Sequence, residues 1–200
     1  MGTNKIKFGI KSCYYATVTS TSTDGSFTYA TTPVAIPGAV SLSLDAQGER
    51  EPFYADNVEY WVSPGNDGYS GNLEVAYIPD SFRADVLNEQ SDANDVSYED
   101  AAAEVKHFAL MFQFEGDDHA TRHVFYNCTA GRPTISGNTK EATIDPQTET
   151  IPITAKSVFI PGIGANGKDV VKARTNASTN STAYASWFSS VYTVTTTTAV

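Results

Sequence analysis

Apolar residues return at every second position along much of this chain, most regularly between Pro33 and Asp80. A period of two is the pattern of strands that bury one face, so the fold has to be built mainly from β-sheet. Val40, Leu42 and Leu44 point one way, with Ser41, Ser43 and Asp45 opposite. Val58, Tyr60 and Val62 oppose Glu59 and Trp61, and Leu73, Val75 and Tyr77 oppose Glu74 and Ala76. Residues 63–71 between the last two runs are turn-forming throughout. Folding 58–62 back on 73–77 about Asn66 and Asp67 sets Glu59 across from Glu74. Like charges across a strand pair are destabilising, so an acidic surface there is a candidate for function. A solvated sheet face kept soluble by its carboxylates is the plain alternative. From Val34 to Pro79 the acidic residues are Asp45, Glu49, Glu51, Asp56, Glu59, Asp67 and Glu74, against Arg50 alone. The region reads as a long acidic β-hairpin, too large for a simple connection.

Upstream, Ile6, Phe8 and Ile10 alternate with Lys5, Lys7, Gly9 and Lys11, a basic-faced strand or arm. Tyr14, Ala16 and Val18 continue the alternation, Asp24-Gly25 marks a tight turn, and Phe27 with Tyr29 begins a return strand. Ile36-Pro37-Gly38 makes a bend. Downstream, Pro79-Asp80 predicts a helix over 80–88 with early carboxylates where the helix dipole favours them, burying Phe82, Val86 and Leu87. Residues 89–104 predict a loop with at most a short strand over 96–98. In 107–116 both alternating sets are apolar: Phe108, Leu110, Phe112 and Phe114 on one, Ala109 and Met111 on the other. That strand must be covered on both faces and hence central, paired antiparallel with 123–130. Pro152 restricts 148–156 to an edge or an irregular site. Residues 158–160 and 169–175 predict a further hairpin. After a Ser/Thr/Asn linker at 177–182, residues 184–192 predict a short amphipathic helix carrying Tyr184, Trp187, Phe188 and Val191.

Two hundred residues suit one domain over 1–200 with ample chain for a core. A formal net charge of -10 argues against a nucleic-acid binder, whose phosphate contacts need clustered Lys and Arg. Cys13 and Cys128 make no metal or redox spacing and read as reduced thiols. The N-terminus has no apolar run behind its basic residues, so it does not read as a secretory signal. Ile6 stands where myristoylation wants Ser or Thr, and no window is apolar enough to span a membrane. The chain is expected to be made in the cytoplasm of its producing cell.

Chemistry-bearing motifs are weak. Gly162, Gly164 and Gly167 match GxGxxG, but Asp169 stands where a P-loop needs Ser or Thr, and a β-rich run follows instead of a helix. A hairpin tip is expected there. Asp92, Asn94 and Asp95 lack the Gly and distal Glu of a calcium loop. His119 and His123, with Asp117, Asp118 and His107, suggest a metal site, yet no glutamate holds the zincin position. No Ser-His-Asp or Cys-His arrangement declares itself, so no catalytic residue, metal site or cofactor is assigned. Two rival readings stay open: a monomeric carbohydrate-binding β-sandwich using Trp61, Tyr60 and Tyr69, and a metal-dependent hydrolase using His107, His119 and His123.

An ordered set of phrases is more specific than any motif: NKIKFGIKSCYYA, TPVAIPGAVSLSLDAQGE, FYADN, YSGNLEVAYIPDSFRADVL, FALMFQFEGD, ATRHVFYNCTAGRP and TKEATIDPQTETIPI. Together they resemble the major tail protein, the tail tube subunit, of siphophages of Gram-positive hosts, whose tails are long, flexible and non-contractile. The resemblance covers nearly the whole chain. It implies an antiparallel β-sandwich or barrel with a flanking α-helix and a long β-hairpin, and no enzymatic activity. It further implies hexameric rings stacking into a hollow tube in the virion, assembled in the cytoplasm of the bacterial host, through which DNA passes without specific binding. The implied partners are other copies, a tape-measure protein, a tail terminator and distal tail proteins, with no membrane and no cofactor. The family's hairpin falls on 40–78, its N-terminal arm on 1–11 and its C-terminal segment on 184–200. An immunoglobulin-like addition carried by some relatives is not expected. On this reading Asp45, Glu59 and Glu74 face the lumen, with Glu49, Glu51 and Asp56. Lys5, Lys7, Phe8, Tyr60, Trp61, Tyr69, Trp187 and Phe188 lie at subunit interfaces.

Overall fold

A run of alternating residues becomes a sheet strand where its apolar face meets a core, and most of these runs do. The computed structural model describes residues 8–49, 51–63, 65–116, 120–139, 146–164, 166–178 and 181–195. Along the chain lie β1 (Phe8–Thr21), β2 (Phe27–Tyr29), β3 (Val34–Ala35), β4 (Ala39–Gln47), β5 (Glu51–Ala55), β6 (Val58–Ser63) and β7 (Gly68–Val75). Helix α1 (Asp80–Asp85), β8 (Gln90–Ser91), β9 (Ser97–Tyr98), β10 (Phe108–Glu115) and β11 (Arg122–Ala130) follow. The chain continues through β12 (Glu149–Lys156), β13 (Val158–Ile160), β14 (Lys168–Val170), β15 (Lys172–Thr175) and α2 (Ser181–Ser186). The main antiparallel sheet runs β2-β1-β10-β11-β12-β7-β4, with β3 added on β1 and β15 on β11.

β10 is central, as its two apolar faces require. Phe108, Leu110 and Phe112 enter one core with Tyr15, Leu73, Ile151, Ile153 and the α1 residue Phe82. Ala109 and Met111 enter a second core with Val124, Tyr126 and Trp187. Full burial of each large side chain contributes about 1.5–3 kcal/mol, so β10 is held from both sides. The β1–β2 and β10–β11 pairings and the β13–β14 hairpin fall where the sequence places them. The short strand near 96–98 forms too, pairing with β8.

Other expectations are corrected. The helix ends at Asp85 rather than 88; Val86 and Leu87 are buried just beyond it, and Asn88 takes a left-handed φ of 61° that stops further winding. Val40 is exposed, because a bulge between Ala39 and Ser41 turns it outward and seats Ala39 on the core instead. β12 is not an edge: it lies between β11 and β7. Its Pro152 is tolerated because its carbonyl accepts from Gly131 N–H (2.7 Å), just past the end of β11, so the missing donor falls where that ladder is ending. The 169–175 run is split, and β15 leaves β14 to pair with β11. The C-terminal helix is α2, earlier and shorter than 184–192, because Trp187 and the residues after it extend across the second core.

The main correction concerns the acidic hairpin. Asp56 and Asn57 both take positive φ (51° and 62°), as a two-residue hairpin turn requires, and fold β5 onto β6. Glu59 therefore pairs with Tyr54, while β7 pairs with β4 and β12 and sets Glu74 opposite Ser41 and Thr150. The two carboxylates are not cross-strand neighbours.

Candidate functional site

β5 and β6 form a two-stranded sheet of their own. Its foot is closed by Asp67 N–H donating to the Gln47 carbonyl (3.0 Å). Beyond the foot neither face meets the protomer core: Phe53, Tyr54, Val58, Tyr60 and Trp61 are exposed, Tyr60 to 75% and Trp61 to 59%. An isolated hairpin is marginal in water, and an apolar patch of this kind marks an interaction site. Tyr60 and Trp61 are successive strand residues and point to opposite faces, so the arm is apolar on both sides. For the same reason they make no single platform for a sugar ring, and Tyr69 lies apart from them in β7.

At the foot of this arm the sheet presents a polar face. Leu42, Leu44, Leu73, Val75, Ile151 and Ile153 turn to the first core. Opposite them, Ser41, Ser43 and Asp45 of β4 align with Glu74, Asn72 and Ser70 of β7, and these with Thr150, Pro152 and Thr154 of β12. Asp45 is exposed. Glu74 is tied down: its Oε1 accepts from Thr148 Oγ1 (2.6 Å) and its Oε2 from Ser41 Oγ (2.8 Å). These bonds, Thr148 first, hold its carboxyl below the ordinary glutamate range.

Over residues 1–199 the chain matches the family described as phage tail tube protein, a major tail protein family of Lactococcus phages. The chain belongs to the phage tail tube protein family. A comparison with curated proteins finds no match. A tail tube protein is a structural component of the phage tail, hence of the virion, and self-assembles into it. Among the described residues no helix is long and apolar enough to cross a membrane.

The remaining expected residues of this tail tube protein scatter. Glu49 lies exposed at the foot of the arm, Asp56 at its tip and Glu59 on β6. The Glu51 side chain and Lys5 and Lys7 lie outside the described residues. Phe8 opens β1 exposed. Three expected interface aromatics make contacts within their own protomer. Tyr69 is half-buried edge-on to Phe125, with Lys172 Nζ 4.3 Å from its ring centroid. Trp187 is 1% exposed, donates Nε1–H to the His123 carbonyl (3.3 Å) and stacks on Tyr192. Phe188 stacks on Tyr14 (5.0 Å) beneath the Arg122 guanidinium, which also bonds the Tyr184 carbonyl. The C-terminal aromatics thus close the second core.

The motifs weighed for chemistry have structural uses. His107 bonds Asn127 (2.7 Å), whereas His123 pairs with Phe112, five residues further along β10 or about 16 Å away, too far for one metal ion. His119, Asp117 and Asp118 lie outside the described residues. Asp92 Oδ1 accepts from Asn94 and Val96 N–H and closes the β8–β9 turn. The glycine run is the β13–β14 tip, with Gly162, Gly164 and Gly167 all at positive φ. Cys13 and Cys128 are free and buried; burial pushes the Cys13 thiol up to about 12 and Cys128 higher still, which disfavours the nucleophilic thiolate in both. Phe53, Tyr54 and the Asp56-Asn57 turn escaped the sequence reading. The Asx-Asx pair between two alternating runs was their signal.

Proposed function

We propose that residues 1–200 act as one tail tube domain that polymerises as stacked hexameric rings, making the conduit through which the genome enters the host. The observation that carries this reading is the β5–β6 arm, whose two apolar faces have no cover among the described residues. Burying the exposed part of its five large side chains against other copies supplies at most about 1.5–3 kcal/mol each, which acts against an association cost of about 4–15 kcal/mol. The hexameric count and the tape-measure, terminator and distal tail partners come from the family resemblance.

Asp45 and Glu74, on the polar face of β4 and β7, line the lumen. Carboxylates repel a passing polyanion within a Debye length of about 8 Å at physiological salt, which keeps DNA from sticking without closing the bore. Negative-stain microscopy of the concentrated protein tests the assembly: rings or tubes are expected, and isolated particles at high concentration would refute it. Asp45→Asn tests the lumen. Tubes are expected to persist while genome delivery slows, and unchanged delivery would count against the assignment.

A further inference from the structure

β15 is an edge strand with an unfilled lane beside it. β12 follows β11 only as far as the Asn127–Lys156 pair, and from Phe125 to Arg122 the same edge of β11 is taken by β15. The strand outside β12 is β7, which begins at Gly68 near the end of β12. The chain before Gly68 has left the main sheet to form the β5–β6 arm. Among the described residues no strand pairs with the outer edge of β15.

This edge is basic in an acidic protein. Lys172 and Arg174 on β15, Lys168 on β14 and Lys156 at the end of β12 are all exposed, and from Lys156 to the last residue the sole acidic side chain is Asp169. The arm has the opposite character: Glu49, Glu51, Asp56 and Glu59 against Arg50.

The geometry points to the β15 edge as the receptor for the β5–β6 arm of a second copy, with β6 adding as a strand in the lane that the receiving copy's own chain has left. This rests on the assembly reading above. β6 is the added strand because β5 carries Pro52, which has no N–H to give. Main-chain hydrogen bonds hold such an added strand, and the side chains at alternate positions select it. Glu59 then runs alongside Lys172 and Arg174, whereas two like-charged edges would repel. The contact is head-to-tail, since the arm of one copy meets a different surface of the next, and it closes into a ring when its rotation does.

Two charge-reversed proteins test this: an edge variant, Lys168→Glu with Arg174→Glu, and an arm variant, Glu49→Lys with Glu59→Lys. Lys172 is left in place because it covers Tyr69. Each variant alone is expected to keep the wild-type circular dichroism while its sedimentable assemblies fall at least about tenfold. An equimolar mixture is expected to assemble again, because in an alternating ring every reversed edge meets a reversed arm and every native edge a native one. Wild-type-like assembly by the edge variant alone, or a mixture of folded variants that stays monomeric, overturns the assignment while leaving the tube reading intact. A wild-type protein that forms neither rings nor tubes overturns both.

Discussion

Gly71 runs so close to the carbonyl oxygen of Ser43 that a Cβ on Gly71 would fall well inside van der Waals contact. The outermost pair of the main sheet, β4 on β7, is therefore built around a missing side chain. Gly71→Ala has to push the two backbones apart, and overpacking of this kind costs about 1–3 kcal/mol. Gly137→Ala is the control, since nothing lies within 4 Å of its would-be Cβ. Denaturant melts of the two proteins should differ accordingly, with the control within about 0.5 kcal/mol of wild type. Equal stability would mean that β4 is not held this tightly.

That close approach also shows what the sequence could and could not say. The two-sided apolar pattern of β10 left a central strand as the one economical reading, and the β1–β2 turn was written in Asp24-Gly25. By contrast, β7 meets β12 across a long stretch of chain, and no local pattern encodes such a pairing. The alternation in β6 is as regular as that in β7, yet β6 buries neither face in its protomer. Periodicity reports that a face needs covering without reporting which molecule covers it. Trp187 errs in the other direction: its aromatic character fitted an interface, and tertiary packing took it into the protomer interior.

Glu149 joins β12 to α1 by two separate bonds. Its Oε1 meets Arg83 Nη2 at 2.9 Å, and its Oε2 accepts the Ile78 N–H at 2.6 Å. Glu149→Ala removes both and leaves a backbone donor unsatisfied beside the buried Ile78 side chain, at a cost of about 2 kcal/mol. Arg83→Ala leaves the Ile78 bond in place and loses two partly exposed ion pairs, to Glu149 and to Glu89 (3.4 Å), about 1 kcal/mol or less for each. Equilibrium unfolding of the two variants gives the order directly. Arg83→Ala costing as much as Glu149→Ala would show that the ion pairs of Arg83, and not the backbone acceptor, anchor the helix.

Glu74 makes the sheet sensitive to acid. Its folded pKa is depressed, so its contribution to stability is complete above the unfolded value and is lost as pH falls through the folded one, below the ordinary glutamate range. Thr148→Val removes the larger of the two causes. Carboxyl NMR should show the Glu74 midpoint moving up toward the ordinary range in that variant, with the acid limb of the stability curve becoming shallower. An unmoved midpoint would assign the depression to Ser41 alone.

The arm should be separable from the core. Gln47 and Gly68 form the last ladder pair of β4 and β7, so replacing residues 48–67 with Asn-Gly joins them by a two-residue turn of the kind such a pair accepts. Phe53, Tyr54, Val58, Tyr60 and Trp61 are exposed in the protomer, and removing them takes no large side chain from either core. The shortened protein should therefore unfold within about 0.5 kcal/mol of wild type, as surface changes do. Sedimentation and microscopy should find it monomeric at concentrations where the full chain assembles. Tubes built from the shortened chain would place the driving force for polymerisation elsewhere, and a collapse of its stability would mean that the arm supports the sheet from which it springs.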